Sequence, residues 1–223
     1  MKKFFLTASI LMASVTAFSQ QEAGKLNVIP KVGLNVATLS GPEKTSPRVG
    51  LVIGAELEYQ LTQLIGFSAG AFYSMQGAKN KESFSEELPT YSLRVENDVT
   101  SKYDYINIPL MLNANVLKGL TLKAGIQPSF NVVSENDGDV TVTRKNETKT
   151  YSYKDYIARD GDLESIDSDA KAFYLSIPVG ASYEYNNFVF DARYNIGLTD
   201  LSKYSKSKHN VFQLMIGYKF SLK

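Results

Sequence analysis

The sequence predicts an all-β chain: an eight-stranded antiparallel up-and-down transmembrane β-barrel with long extracellular loops and short periplasmic turns. Three observations predict it. Apolar and polar residues alternate with period two in eight separate runs. The connections between the runs alternate long and short, the layout of a spanning barrel. Glycine and serine collect on the polar side of the alternation, while bulky apolar residues take the other.

The runs cover residues 28–39, 49–61, 65–76, 103–116, 120–133, 173–185, 188–199 and 209–222. The last is the cleanest. Phe212, Leu214, Ile216, Tyr218, Phe220 and Leu222 share one face, and Gln213, Met215, Gly217, Lys219 and Ser221 share the other. Run 188–199 sets Phe188, Phe190, Ala192, Tyr194, Ile196 and Leu198 against Val189, Asp191, Arg193, Asn195 and Gly197. Run 49–61 sets Leu51, Ile53, Leu57 and Tyr59 against Gly50, Gly54, Glu56 and Glu58. No helical period of useful length competes.

Residues 40–48, 77–102, 134–172 and 200–208 read as the longer connections, and 62–64, 117–119 and 186–187 as tight turns. Asn186-Asn187 suits a two-residue hairpin, because Asn tolerates the positive φ such turns require. Within the two longest loops, Tyr91–Glu96 and Val140–Arg144 are β-prone and suggest hairpin extensions.

The interior of an eight-stranded barrel is just wide enough for side chains to fill. Small residues therefore belong inside and bulky ones on the convex outside. Gly33, Gly50, Gly54, Gly66, Gly70, Gly125, Gly180, Gly197 and Gly217 all fall on the polar face. That face is the expected lumen, and the apolar face is expected to meet lipid. The lumen face carries Lys31, Lys123, Arg193 and Lys219 together with Glu56, Glu58, Glu184 and Asp191. A balanced set in a narrow space predicts ion-paired filling, since an unpaired buried charge costs several kcal/mol. Asp104 has lipid-facing parity and is expected at the water interface. Tyr59, Tyr73, Tyr183, Tyr185 and Tyr218 suit the aromatic girdles of a spanning barrel, with Tyr194 deeper.

Pro30, Pro109, Pro128 and Pro178 lie inside these runs and cannot donate to a ladder. Bulges, broken pairing or a shifted register are expected beside them. An internal echo surrounds two of them: Tyr105-Ile106-Asn107-Ile108-Pro109-Leu110 is similar to Tyr174-Leu175-Ser176-Ile177-Pro178-Val179.

Residues 1–19 read as a secretory signal. Lys2 and Lys3 precede the apolar stretch Phe4–Val15, and Ala17-Phe18-Ser19 offers small residues for cleavage. The barrel domain is then 20–223. Of the 223 residues, 24 are Lys or Arg, 23 are Asp or Glu and one is His. Without the signal, 22 positive groups face 23 negative ones, so no basic excess exists for nucleic acid. The absence of cysteine removes disulfides, thiolate metal sites and thiol nucleophiles.

The chain resembles the PorT-like outer-membrane β-barrel family, the porin-family proteins of Gram-negative bacteria. The resemblance rests on the signal segment, on Lys31-Val32-Gly33-Leu34-Asn35, on the Tyr-x-x-Ile-Pro-Leu/Val strands and on Leu214-Met215-Ile216-Gly217-Tyr218-Lys219-Phe220. It covers the whole mature chain and implies a barrel in the outer membrane. Some members are associated with secretion or the cell surface. No catalytic or binding residue is carried over. The C-terminal aromatic common in such barrels is displaced here, because Ser221, Leu222 and Lys223 follow Phe220.

Little in the sequence suggests reaction chemistry. His209 lies at the start of the last run, with Asp200, Ser202, Ser205 and Ser207 nearby as conceivable partners of a rim hydrolase. Lys203, Lys206 and Lys208 around it point instead to a plain histidine on a solvated basic rim. Asp137-Gly138-Asp139 and Asp160-Gly161-Asp162, with Glu135, Glu164, Asp167 and Asp169, match no calcium-loop spacing and read as turn chemistry in a solvated acidic loop. Asn146-Glu147-Thr148 fits a glycosylation pattern that a bacterial protein need not use. The expected protein is a monomer, neither enzyme nor cofactor carrier. Its expected partners are outer-membrane lipid, the barrel-assembly machinery, and surface or secretion proteins meeting loops 77–102 and 134–172. The alternatives are a narrow channel for small solutes and a soluble lipocalin-like periplasmic binder.

Overall fold

The computed structural model describes residues 23–40, 46–88, 91–144, 147–155, 171–200 and 207–222. The proposed signal segment 1–19, the second Asp-Gly-Asp motif and Asn146 lie outside the described residues.

Among the described residues eleven strands form the sheet: β1 (Leu26–Ser40), β2 (Ser46–Gln60), β3 (Ile65–Leu88), β4 (Tyr91–Asn107), β5 (Leu110–Leu117), β6 (Leu120–Arg144), β7 (Glu147–Ser152), β8 (Phe173–Tyr185), β9 (Phe188–Gly197), β10 (Lys208–Tyr218) and β11 (Phe220–Leu222). All pairings are antiparallel. The ring has eight positions, because β4 and β5 occupy one position in succession, as do β10 and β11, and β7 lies outside it. β1 pairs with β10 and β11 and closes the cylinder. A strand structure in hydrocarbon must close, since lipid cannot satisfy an open edge.

The turns follow local chemistry. Asn186 and Asn187 adopt φ of 48° and 68°, as the two-residue hairpin requires. Thr62 Oγ1 accepts the backbone N–H groups of Leu64 and Ile65, closing the β2–β3 turn. Both turns lie at the end of the barrel that carries the short connections.

Alternation places the two faces as the glycines predict. Leu214 is 54% exposed, whereas Gln213 beside it is 3% exposed. Val32, Leu34, Leu51, Ile53, Phe67, Leu112, Ile126 and Phe190 continue the outward apolar belt. Tyr59, Tyr183, Tyr185 and Tyr218 are also outward, at the short-turn end, where Tyr218 packs against Phe188 and Phe220 with ring centroids 5.3 and 4.9 Å away. The buried set is largely polar, the reverse of a soluble core. A lipocalin-like binder with an apolar interior is thereby excluded.

Four expectations need correction. Residues 77–102 and 134–152 are mostly strand rather than loop. β3 and β4 run paired from the barrel wall to Leu88 and Tyr91, and β6 and β7 continue beside them. The extensions are much longer than the β-prone segments 91–96 and 140–144, because each strand borrows its pairing from a neighbour rather than from its own propensity. Second, pairing is broken beside Pro109 and Pro178, as expected, but the register does not slip at either, and Pro30 and Pro128 stay in their ladders. Pro109 ends the run expected over 103–116, leaving Ile108 and Pro109 outside both β4 and β5. The β6–β8 ladder omits Gly125 and Ile126 opposite Ile177 and Pro178, yet resumes in the same register. The register shifts fall elsewhere, at Pro47/Val52, Asp104/Tyr105 and Asn115/Leu117. Third, Lys219 leaves the last strand opposite Ile29, next to Pro30, and its N–H bonds to Asn187 O (2.8 Å) instead.

The fourth concerns Asp104, which is 7% exposed and not at an open water interface. It sits beside the β4–β6 bulge. Tyr73 donates its hydroxyl to Asp104 Oδ2 at 2.6 Å, and Arg48 approaches Oδ1 at 3.8 Å. The extra residue of that bulge, Val132, is on β6, so Asp104 keeps the outward parity of β4 and is buried because Tyr73 and Arg48 cover it.

Candidate functional site

The lumen contains three kinds of filling. Towards the short-turn end lies the charge set predicted from the sequence. β2 presents Glu56 and Glu58, β1 Lys31, β6 Lys123, β9 Asp191 and Arg193, β8 Glu184, and Lys219 follows β10. Glu56 is the hub. It receives Lys123 Nζ at 2.6 Å and Lys31 Nζ at 3.1 Å, and Arg193 Nη2 also donates to it. Asp191 receives Lys31 at 2.6 Å and two donors of Arg193 at 2.8 and 2.6 Å. Glu58 links this group to Lys123 (3.4 Å) and Lys219 (2.9 Å), and Lys219 reaches Glu184 at 2.6 Å. All eight predicted residues thus join one network. Charges in a low-dielectric interior require such compensation. Phe72 lies over Gly54 and Gly70, where a methyl carbon would meet its ring at 2.6 Å, and the Arg193 guanidinium sits 5.7 Å from its centroid.

Further along the axis the filling becomes amide and hydroxyl. Gln213 donates to Asn35 Oδ1 (2.9 Å), and Asn35 donates to Ser74 Oγ (2.9 Å) and Met75 O (2.9 Å). Gln76 donates to Ser74 Oγ (3.0 Å). Across the lumen, Gln127 donates to Ser176 Oγ (3.3 Å).

Nearest the projecting end the lumen is aromatic. His209 is 1% exposed, with Tyr103, Tyr105 and Tyr174 around it at centroid distances of 5.8, 5.7 and 5.9 Å, all edge-on. This corrects the solvated-rim reading. β10 pairs Leu39 with His209 and turns the imidazole inward. The flanking lysines suggested water because sequence neighbours alternate between faces. Tyr174 donates to His209 O at 2.6 Å, and its hydroxyl occupies the space beside Gly197, where a Cβ would lie 2.0 Å away. The echo around Tyr105 and Tyr174 is therefore a packing device: the two rings face each other with centroids 6.1 Å apart.

Sequence reasoning missed the amide layer and this aromatic roof as groups. The period-two parity already placed Asn35, Gln213, Tyr105 and Tyr174 on the lumen side, which was the available signal.

Beyond the belt, β3, β4, β6 and β7 make a projecting sheet. Its outward face continues the lipid face, with the parity of β6 switched at the bulge by Val132, but turns polar: Lys79 and Lys81 on β3, Arg94, Glu96 and Asp98 on β4, Asp137, Asp139 and Thr141 on β6. Lys81–Asp98 and Lys102–Asp137 pair across strands, each at 2.7 Å. The hydrogen bond from Lys102 holds the Asp137 carboxyl below the usual carboxylate range. Thr141–Thr150 and Thr143–Thr148 contact at 3.1 Å. The opposite face is covered at Val99 and Val140. Asp137-Gly138-Asp139 is strand here, not a turn, with Gly138 at φ 154°. Among the described residues no group of three acidic, His or Cys side chains is arranged to hold a metal.

Among solved structures the chain is similar to the attachment invasion locus protein Ail of Yersinia pestis (12% identity, 89% of this chain, 100% of that chain, TM-score 0.45). It is also similar to Neisserial surface protein A (13%, 87%, 97%, 0.45) and to the N-terminal β-barrel domain of Pseudomonas aeruginosa OprF (12%, 90%, 100%, 0.31). No curated protein matches. The sequence model of the outer membrane protein beta-barrel domain matches residues 18–203, more than half of the chain. An outward apolar belt, a closed antiparallel ring and that match together establish that the chain is an outer-membrane protein and belongs to the outer membrane protein β-barrel domain family.

Proposed function

We propose that this protein is a PorT-like surface-interaction protein, a monomeric barrel that holds a rigid sheet of strands outside the cell for a partner of the surface or secretion apparatus. The observation that carries the reading is the continuity of β3, β4 and β6 from the apolar belt into the projecting sheet. A loop tethered at two points can adopt many conformations. A sheet continuous with the wall has its orientation set by the barrel, and rigid scaffolds position binding surfaces. The outward face of that sheet is polar and mixed in charge, which suits a polar or charged partner and rules out burial in hydrocarbon. The filled lumen supports a scaffold role over conduction, and no catalytic step is assigned to it.

The test is to replace residues 80–100 and 135–170 by short turns. The truncated barrel should still insert and show heat-dependent gel migration, while photo-crosslinks formed from Lys81 or Thr141 positions in the full chain are lost with the surface or secretion phenotype. An intact phenotype in the truncated protein would overturn the reading. Steady openings in a planar bilayer would favour a channel instead.

A further inference from the structure

The outward belt is not convex everywhere. Across β2, β3, β5 and β6 it carries an open groove of about 530 Å³. Two ladder rows of outward side chains frame it. One runs Tyr59–Phe67–Leu112–Ala124 and the other Leu57–Ala69–Leu110–Ile126. Each row drops to alanine once, so bulky side chains stand around two low points. Elsewhere on the belt the row Phe190–Ile216–Val32–Ile53 runs without such a gap.

Ser68 and Met111 also border the groove, but both side chains are buried on the lumen side, where Ser68 Oγ donates to Asn113 Oδ1 at 3.3 Å. They offer the groove only main chain, which the ladders already occupy. Among the lining residues this leaves the Tyr59 hydroxyl as the one side-chain polar group on the outer surface. It stands at the short-turn end. Tyr59 is next to the last residue of β2, whereas Ile126 is the seventh residue of β6. The groove therefore climbs from the tyrosine girdle into the belt and becomes purely apolar on the way.

A matching ligand is polar at one end and hydrocarbon over the rest. Its length is also set. Neighbouring strands lie ~4.8 Å apart, so the three intervals from β2 to β6 span ~14 Å, about half of a hydrocarbon core of ~30 Å. That is the depth covered by the acyl chains of one leaflet. A second copy of the barrel fits less well. Its wall is convex and would rest on the banks of the groove, leaving a void whose lining loses its dispersion contacts. A single alkyl chain follows the groove and fills it.

We propose that this groove binds one acyl chain of a phospholipid from the periplasmic leaflet. The chain enters beside Tyr59 and ends at Ala124 and Ile126. It exchanges more slowly than the lipid around the rest of the belt, because it is enclosed on two sides by protein.

The test uses the full mature chain inserted into vesicles of phosphatidylethanolamine and phosphatidylglycerol. The vesicles contain a trace of phospholipid with a diazirine near the end of one acyl chain. After irradiation, peptide mapping should find lipid adducts at Leu110–Leu112 and Ala124–Ile126 severalfold above those at Leu34 and Leu214. An even distribution around the belt would overturn the proposal, and this comparison needs only the wild type. The variant Ala69→Leu/Ala124→Leu fills both low points with side chains that hydrocarbon tolerates. It should insert normally and bring the groove adducts down to the level found at Leu34 and Leu214. An excess that persists in the inserted variant would also overturn the proposal. Barrel-to-barrel adducts from a photoreactive residue at position 110, in place of lipid adducts, would assign the groove to a second copy and sink it.

Discussion

Lys31 and Asp191 meet at 2.6 Å although they are 160 positions apart and on strands that are not neighbours in the ring. The contact reaches over β10 on the lumen side. The charges therefore join strands that share no ladder as well as adjacent ones.

Glu56 is the acceptor shared by three cations, so its neutralisation leaves more positive charge than Asp191 can compensate. Glu56→Gln should destabilise the barrel by ~3–5 kcal/mol, the usual cost of breaking a buried pair on one side. Urea unfolding in micelles measures it. Adding Lys123→Gln should recover part of the loss, because the two sites are coupled. A fully additive double variant would show that the contacts are incidental.

Gly197 borders the Tyr174 hydroxyl, and a methyl group there would sit 2.0 Å from it. Gly197→Ala should cost ~1–3 kcal/mol by overpacking and by displacing the Tyr174 bond to His209 O. Tyr174→Phe in the same chain removes one of the two clashing oxygens and should restore only part of that stability, because His209 O would still lie 2.3 Å from the methyl. Thermal gel-shift midpoints of the single and double variants provide the comparison.

The lipid face is tested by Leu214→Arg. An arginine near the midplane of the belt costs ~2–4 kcal/mol, so insertion yield and folded fraction should drop. Thr150→Arg, on the exposed projecting sheet, should leave both unchanged. Equal effects at the two positions would contradict the location of the belt.

Asp137 offers a pH test outside the membrane. Its folded carboxyl titrates below the ordinary value because Lys102 donates to it. The pair therefore contributes stability above the unfolded carboxylate value, and the contribution is lost as pH falls through the lower folded value. Carbon-detected titration should place the Asp137 midpoint below 3.8, and Lys102→Ala should move it upward.

Much of this architecture is legible in the sequence because a narrow barrel sorts residues by size and charge at every second position. Gly54 and Gly70 declare the lumen face, and Phe72 packs over them. The eight lumen charges can be named for the same reason. Parity reports only inside or outside, however, and depth is set by strand stagger, which leaves no local mark. His209 is the clearest case: its parity is inward, while its lysine neighbours imply water. The projecting sheet is hidden differently. Lys79–Leu88 has little apolar alternation, and it is strand because β4 continues beside it. Asp104 has the outward parity counted for it, but Tyr73 and Arg48 cover it, and parity does not report which neighbours close over a side chain.

The seam between the first strand and the last has a consequence for biogenesis. β1 finds its second neighbour only in β10 and β11. Until those final residues arrive, both margins of the unfinished wall carry raw backbone donors and acceptors that hydrocarbon cannot answer. No half-built intermediate can rest unaided in the bilayer. Insertion is either a single concerted closure or a process in which another protein shelters the two margins until they meet.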